Sequence, residues 1–182
     1  FTFWLNVDLP DYNGDDDSYI DDYYQLDVQY PLDSPAFHIS SFGSNFGSAF
    51  WCGDEGLNGY KDGWVQFLDM PIFTVPSNGG NLKANMKWAI EDTEFAQESN
   101  IEANCQNGDT IIDGWDQANV QISTNGGSTW EILIGSNLYD FQCGYGTVYN
   151  GLLGLPGWSG LQDWHEVTFD LSEYANQNVI IR

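Results

Sequence analysis

Between Leu82 and Glu91 the chain alternates almost without a break. Leu82, Ala84, Met86, Trp88 and Ile90 are apolar, and Lys83, Asn85, Lys87 and Glu91 fill most of the positions between them. A period of two belongs to a strand with one face buried. A slip of one residue would turn that whole apolar set to water, so the pattern dictates register as well as conformation. Carried past the last apolar residue, the same parity puts Asp92 and Glu94 on the inward face. Downstream, Asp116, Ala118, Val120 and Ile122 share one parity, with Gln117, Asn119 and Gln121 on the other. This predicts a second strand whose inward face also opens on a carboxylate. Laid close together, the two strands would gather Asp92, Glu94 and Asp116 at one end of a sandwich, with Asp113 as a further candidate ligand.

Carboxylates brought together in this way repel one another unless they are protonated or share a cation. The donors are all oxygen and the segment has no histidine, so calcium suits such a site better than zinc. The alternative is that the strand ends fray and the carboxylates point into water. A second acidic stretch stands near the start, where Asp11, Asn13, Asp15 and Asp17 fall at alternate positions and Asp22 at the twelfth. A calcium-binding EF-hand loop wants glycine at its sixth position and glutamate at its twelfth. Here glycine is fourth and the twelfth residue is Asp22, so a solvated acidic loop is the first reading and a second calcium site the sharper one.

Charge bears directly on partners. The 182 residues carry 27 Asp and Glu against 4 Lys and Arg, a formal net charge of −23. With no basic patch to meet phosphates, nucleic acid and anionic membranes are poor partners. No run approaches the roughly 18 apolar residues a membrane helix needs. Aromatics make up 16% of the chain, including eight Trp, which argues for a packed core in spite of the charge. The opening Phe1-Thr2-Phe3-Trp4 has neither methionine nor a basic leader, and Val179-Ile180-Ile181-Arg182 reads as a strand cut short. The first leads us to expect that any signal peptide has been removed or lies outside this sequence, and the second that the parent polypeptide, secreted or at the cell surface, continues.

Cys52, Cys105 and Cys143 show no C-x-x-C spacing, so zinc-ribbon and thioredoxin motifs are unsupported. Three pairings are open. The loop-like surroundings of Cys105 and Cys143 favour that pair, whereas Cys52 follows the apolar run Ala49-Phe50-Trp51. Three unpaired thiols are the alternative. No segment sustains a helical period, and short apolar runs alternate with Gly, Pro and Asn punctuation. The expected class is all-β, with an acidic segment over 1–36 and a β-sandwich over 37–182.

Three stretches together carry a family resemblance. The first is Trp51-Cys52-Gly53 with Gly59-Tyr60 and Gly63-Trp64. The second is Asp92-Thr93-Glu94, followed by Asp116 and the run from Val120 to Trp130. The third is Gly157-Trp158-Ser159-Gly160 with the run from Phe169 to Arg182. They resemble the MAM-like jelly-roll module of secreted bacterial proteins, found beside immune-inhibitor-A-type and carboxypeptidase-T-type metallopeptidases and in surface proteins without an enzyme. The resemblance implies a non-catalytic jelly-roll β-sandwich, often with a structural calcium near one end, and Asp92, Glu94 and Asp116 match the acidic positions of its motif. The segment before Phe37 departs from the family's opening strand. Within the second stretch, the run from Ser123 to Trp130 resembles the Asp-box pattern Ser-x-Asp-x-Gly-x-x-Trp, with Asn125 in the aspartate position. Asn and Gly accept positive φ there and the Trp folds back over the turn, a structural role.

Catalysis finds little support. His38 and His165 sit in no zinc spacing, and neither G-x-S-x-G nor a phosphate-cradling glycine loop occurs. A binding module is the leading expectation, its ligand a glycan or a protein. Tyr145, Tyr149 and Trp158, in a glycine-rich stretch, are the candidate contact aromatics, although core packing is the plainer role for each. The alternatives are a structural subunit or repeat of an extracellular filament or adhesin, held to neighbouring subunits through calcium, and an accessory domain of a secreted metallopeptidase.

Overall fold

A computed structural model describes residues 37–44, 47–61, 64–93, 104–145 and 153–182. The chain divides into two units, Phe1–Pro35 and Ala36–Arg182, and every described residue belongs to the second. Its strands are β1 (Phe37–Ser40), β2 (Ala49–Cys52), β3 (Phe73–Thr74), β4 (Asn81–Ala89), β5 (Gln121–Ser123), β6 (Glu131–Ile132), β7 (Leu161–Asp170) and β8 (Asn178–Ile181). All the ladders between these strands are antiparallel. The protein is all-β, as the alternating pattern requires.

The pattern of β4 translates directly into packing. Its even residues are half-buried or buried and its odd residues are exposed. It pairs with β7 so that Leu82 faces Phe169, Ala84 faces Val167 and Met86 faces His165. Between Met86 and Trp88 the register slips, and Trp88 faces Gln162. This bulge shifts the inward parity of β7 from Val167 and Phe169 to the even positions beyond it. The second sheet has the order β3-β8-β5-β6. Trp88, Val167 and Phe169 from the first sheet meet Ile122, Val179 and Ile181 from the second in one buried cluster, closed by Val75, Leu133, Trp158 and Leu171. Two antiparallel sheets facing across a shared core make a β-sandwich-like fold. The β1–β2 pair forms a separate ladder, joined to β7 where the indole N–H of Trp164 donates to the Gly43 carbonyl at 3.0 Å.

One expected strand is shorter than its pattern implies. Of Asp116–Ile122 only the end becomes strand, and residues 116–120 are all half-buried without alternation. One antiparallel bridge, Ala118 with Trp158, replaces the ladder there. The cause lies in side chains. The Tyr139 hydroxyl takes the Val120 N–H at 3.0 Å and donates to the Leu133 carbonyl at 2.8 Å, inserting a phenol where a strand neighbour would sit. Between Trp64 and Val75 only Phe73–Thr74 is strand, because the preceding segment is held by a side chain. Arg182 lies against the faces of Phe67 and Trp130, its guanidinium 4.1 and 3.9 Å from the ring centres. It also donates to both carboxylate oxygens of Asp69 at 2.7 and 3.1 Å.

Arg182→Ala should therefore destabilise the domain by about 1–3 kcal/mol, the combined scale of two cation–π contacts and a partly exposed forked ion pair. The hydrogen bonds from Arg182 hold the Asp69 carboxyl below its ordinary value. A depressed carboxylate stabilises the fold above its unfolded pKa of about 4 and loses that contribution as pH falls through the lowered folded value. The gap between the thermal melts of wild type and variant should accordingly be widest near neutrality and narrow in strong acid to what the two cation–π contacts contribute.

The Asp-box-like hairpin is a closed polar turn. Ser123, buried at the end of β5, accepts the Gly127 N–H on its hydroxyl at 2.9 Å and donates to Asn125 Oδ1 at 2.9 Å. Asn125 Oδ1 also accepts the Thr129 N–H at 2.9 Å. Gly126 and Gly127 have φ of +72° and +88°, so both need glycine. Asn125 thus supplies the acceptor that an aspartate would bring to the pattern.

Candidate metal-binding rim

The inward parity of β4 runs out beside the segment Trp158–Gly160. The Ile90 N–H donates to the Gly160 carbonyl at 2.8 Å and the Gly160 N–H to the Glu91 carbonyl at 3.5 Å. Asp92 follows at once. Its Oδ2 lies 3.5 Å from where a side chain on Gly160 would begin, and Gly160 has a φ of +68°. Glycine there satisfies the turn and leaves room beside the carboxylate. Asp92 Oδ1 accepts from the Thr93 hydroxyl at 3.4 Å.

Asp116 reaches the same rim through a residue that the alternating pattern gave no reason to select. The Tyr60 hydroxyl donates to Asp116 Oδ2 at 2.7 Å and accepts the Glu91 N–H at 3.2 Å. One phenol oxygen therefore ties Asp116 to the residue adjoining Asp92. Tyr60 follows a tight loop closed by the Asp54–Gly59 bridge, in which Asp54 accepts the Gly56 N–H at 2.8 Å and pairs with Lys61 at 3.4 Å. Its only sequence signal was membership of the Gly59-Tyr60 motif within the family resemblance. Burial, the bond to Asp116 and the nearby negative charge push its hydroxyl up to about 12.

Burial does the same to Tyr139, also to about 12. A phenol whose folded pKa is raised stabilises the fold fully below its unfolded value of about 10 and loses that contribution as pH climbs toward the folded value. Stability should thus fall between roughly pH 10 and 12. An ultraviolet titration should place Tyr60 and Tyr139 among the late-ionising tyrosines, and Tyr60→Phe should remove one of that group.

The other selected residues lie as follows. Asp113 faces backbone. Its two oxygens accept the Cys143 and Gln142 N–H groups at 2.7 and 3.3 Å, and its own N–H donates to the Cys143 carbonyl at 3.0 Å. It pins the loop beside a disulfide joining Cys105 and Cys143, whose Cα atoms are 5.6 Å apart. Those two cysteines and Ile112 form a small second core, against which Trp115 and Tyr145 pack. The two rings meet edge to face with centres 4.7 Å apart, which gives Tyr145 a packing partner within this lobe.

Trp158 corrects an expectation. It is fully buried, stacked on Trp88 at 4.9 Å and tilted against Tyr139 at 4.7 Å. Its indole N–H is shared between the Asn137 and Leu138 carbonyls at 3.3 and 3.1 Å. No ligand can stack on a ring that is already covered on this scale. Glycine neighbours gave Trp158 the look of a loop residue, but Gly157 and Gly160 permit close passage through the core. Glu94, Tyr149 and the acidic loop Asp11, Asn13, Asp15, Asp17 and Asp22 lie outside the described residues.

Among the described residues, no three His, Cys, Asp or Glu side chains stand close enough to hold a metal by themselves. The described part of the rim thus offers Asp92 and Asp116, with backbone carbonyls nearby. Asp140 also reaches this region, where it accepts the Ser159 N–H at 2.9 Å. Among the described residues, no helix is long and apolar enough to cross a membrane. No protein-family model matches the chain, and neither the curated proteins nor the solved structures contain a match.

Proposed function

We propose that the chain is a non-catalytic, calcium-stabilised binding or adhesion module of jelly-roll type, working outside the cell on a glycan or protein ligand. One observation carries the metal reading: the Tyr60 hydroxyl holds Asp116 against the backbone of Glu91, so two carboxylates chosen on strand parity share one rim. Oxygen donors of this kind favour a hard cation that accepts irregular coordination, and calcium does so more readily than magnesium. Metal binding would relieve the repulsion that excess acid imposes on this face. The Cys105–Cys143 bond supports an oxidising compartment, which for a chain this acidic fits secretion or the cell surface.

Calorimetric titration of chelator-treated protein with calcium tests the reading. A saturable heat and a rise in melting temperature are expected, both weakened in Asp92→Asn and Asp116→Asn. By linkage, calcium at about a hundred times its dissociation constant raises stability by about 2.7 kcal/mol. Neither heat nor a melting shift would sink the metal reading and leave the fold untouched.

A further inference from the structure

Strand β4 borders the first sheet. Alternation in an antiparallel ladder assigns each peptide group to one edge. The Leu171 N–H donates to the Gly80 carbonyl and the Ile90 N–H to the Gly160 carbonyl, so even-numbered peptide groups of β4 point toward β7. Those of Asn81, Lys83, Asn85 and Lys87 point the other way, and among the described residues no strand pairs with that edge. The opposite edge of β7 is covered in part, since Gly135 bridges Phe169 and the Ser136 N–H donates to the Thr168 carbonyl. Among the described residues the open edge is thus that of β4, nine residues long and without a proline.

Two further observations describe what would fit it. An apolar recess of about 240 Å³ opens beside the start of β4, between it and β3, lined by Met70, Phe73, Val75, Leu82 and Leu171 among others. On the other face of β4, Lys83 and Lys87 supply two of the chain's four basic residues. They pair with Glu166 and Asp163 of β7 at 2.8 and 3.2 Å while remaining largely exposed. Lysines on an open edge discourage indiscriminate strand pairing and leave room for a partner of matching charge.

We infer that the free edge of β4 is a docking site for an extended segment of another protein, apolar on one side and acidic on the other, which adds to the sheet as a further strand. Its main-chain groups pair with those of Asn81, Lys83, Asn85 and Lys87. Its apolar side chains close the recess over Phe73 and Leu82, and its acidic ones lie along Lys83 and Lys87. Strand addition of this type draws affinity from the main chain and specificity from alternate side chains. The inference gives the binding-module reading a class of ligand. It does not involve the metal rim.

The test uses a fluorescent, end-capped peptide of alternating valine and glutamate, matched to the nine residues of β4, titrated with the full chain in excess chelator. Chelator separates this result from failure of the calcium reading. Saturable binding is expected. It should vanish when the peptide's edge-facing amides are N-methylated, a change that leaves the protein intact. Lys83→Gln combined with Lys87→Gln should weaken it about tenfold, as two lost exposed charge pairings would. Asn85→Pro should abolish it with the melting curve nearly unchanged, because that N–H faces away from β7 and serves no ladder bond. No binding up to about millimolar peptide, or equal binding of the N-methylated peptide, overturns the proposal.

Discussion

Trp158→Ala should be the most damaging single substitution in the described domain, lowering stability by about 3–5 kcal/mol. The side chain has no exposed surface, and its loss would leave Trp88 and Tyr139 facing a cavity. It would also strand two carbonyls, those of Asn137 and Leu138, that now share its N–H. Backbone would suffer with it, since residue 158 makes the bridge to Ala118 that ties the middle of the chain to the core. Against a total of about 5–15 kcal/mol for a domain, this is a large fraction. Trp158→Phe keeps ring volume but loses the donor, and should cost less. Denaturant unfolding of the three proteins checks the order, and an alanine variant as stable as wild type would show that the stack is not the keystone of the core.

Loss of the Cys105–Cys143 bond should rank second. It closes 38 residues of sequence, for which chain entropy predicts about 4 kcal/mol. Packing adds to that, because the two half-cystines are two of the three buried members of the lobe that contains Ile112. In Cys105→Ser with Cys143→Ser, Trp115 and Tyr145 lose the surface they rest on. Burial pushes the remaining Cys52 thiol up to about 11, so at neutral pH it is a poor nucleophile for disulfide exchange. Reduced and oxidised wild type should therefore differ by the same amount as the double variant, without scrambled species. Limited proteolysis should open the lobe around 104–115 before the sandwich. A double variant melting within about 2 °C of wild type would contradict this, since about 4 kcal/mol should move the midpoint of a domain this size several times further.

The contrast between these two regions explains what the sequence could and could not reveal. The face of β4 was legible because Leu82, Ala84, Met86 and Trp88 alternate over a regular strand, where parity and burial coincide. The same rule weakens over 116–120, where a phenol and a single bridge stand in for a ladder and parity no longer says which side is inside. Trp158 was misplaced for a related reason. Its glycine-rich neighbourhood has loop composition, but composition does not distinguish a loop on the surface from one threaded through the core. Tyr60 lay beyond reach because its role depends on a contact with Asp116, 56 residues away. The Arg182 clamp on Asp69 spans 113 residues. Pairings of that kind follow from topology, which one-dimensional periodicity does not encode.

The rim was legible in part for the same reasons. Strand parity named Asp92 and Asp116, but what ties Asp116 to the backbone beside Asp92 is a tyrosine that parity never considered. Asp113, close to Asp116 in sequence, spends both oxygens on the amides of Gln142 and Cys143 and so anchors a loop.

A crystal grown in calcium and measured at a wavelength where calcium scatters anomalously tests the central claim most directly. An ion with oxygens of Asp92 and Asp116 at about 2.3–2.6 Å is the predicted result. A rim with no anomalous peak, its Tyr60–Asp116 hydrogen bond unchanged at saturating calcium, would contradict it.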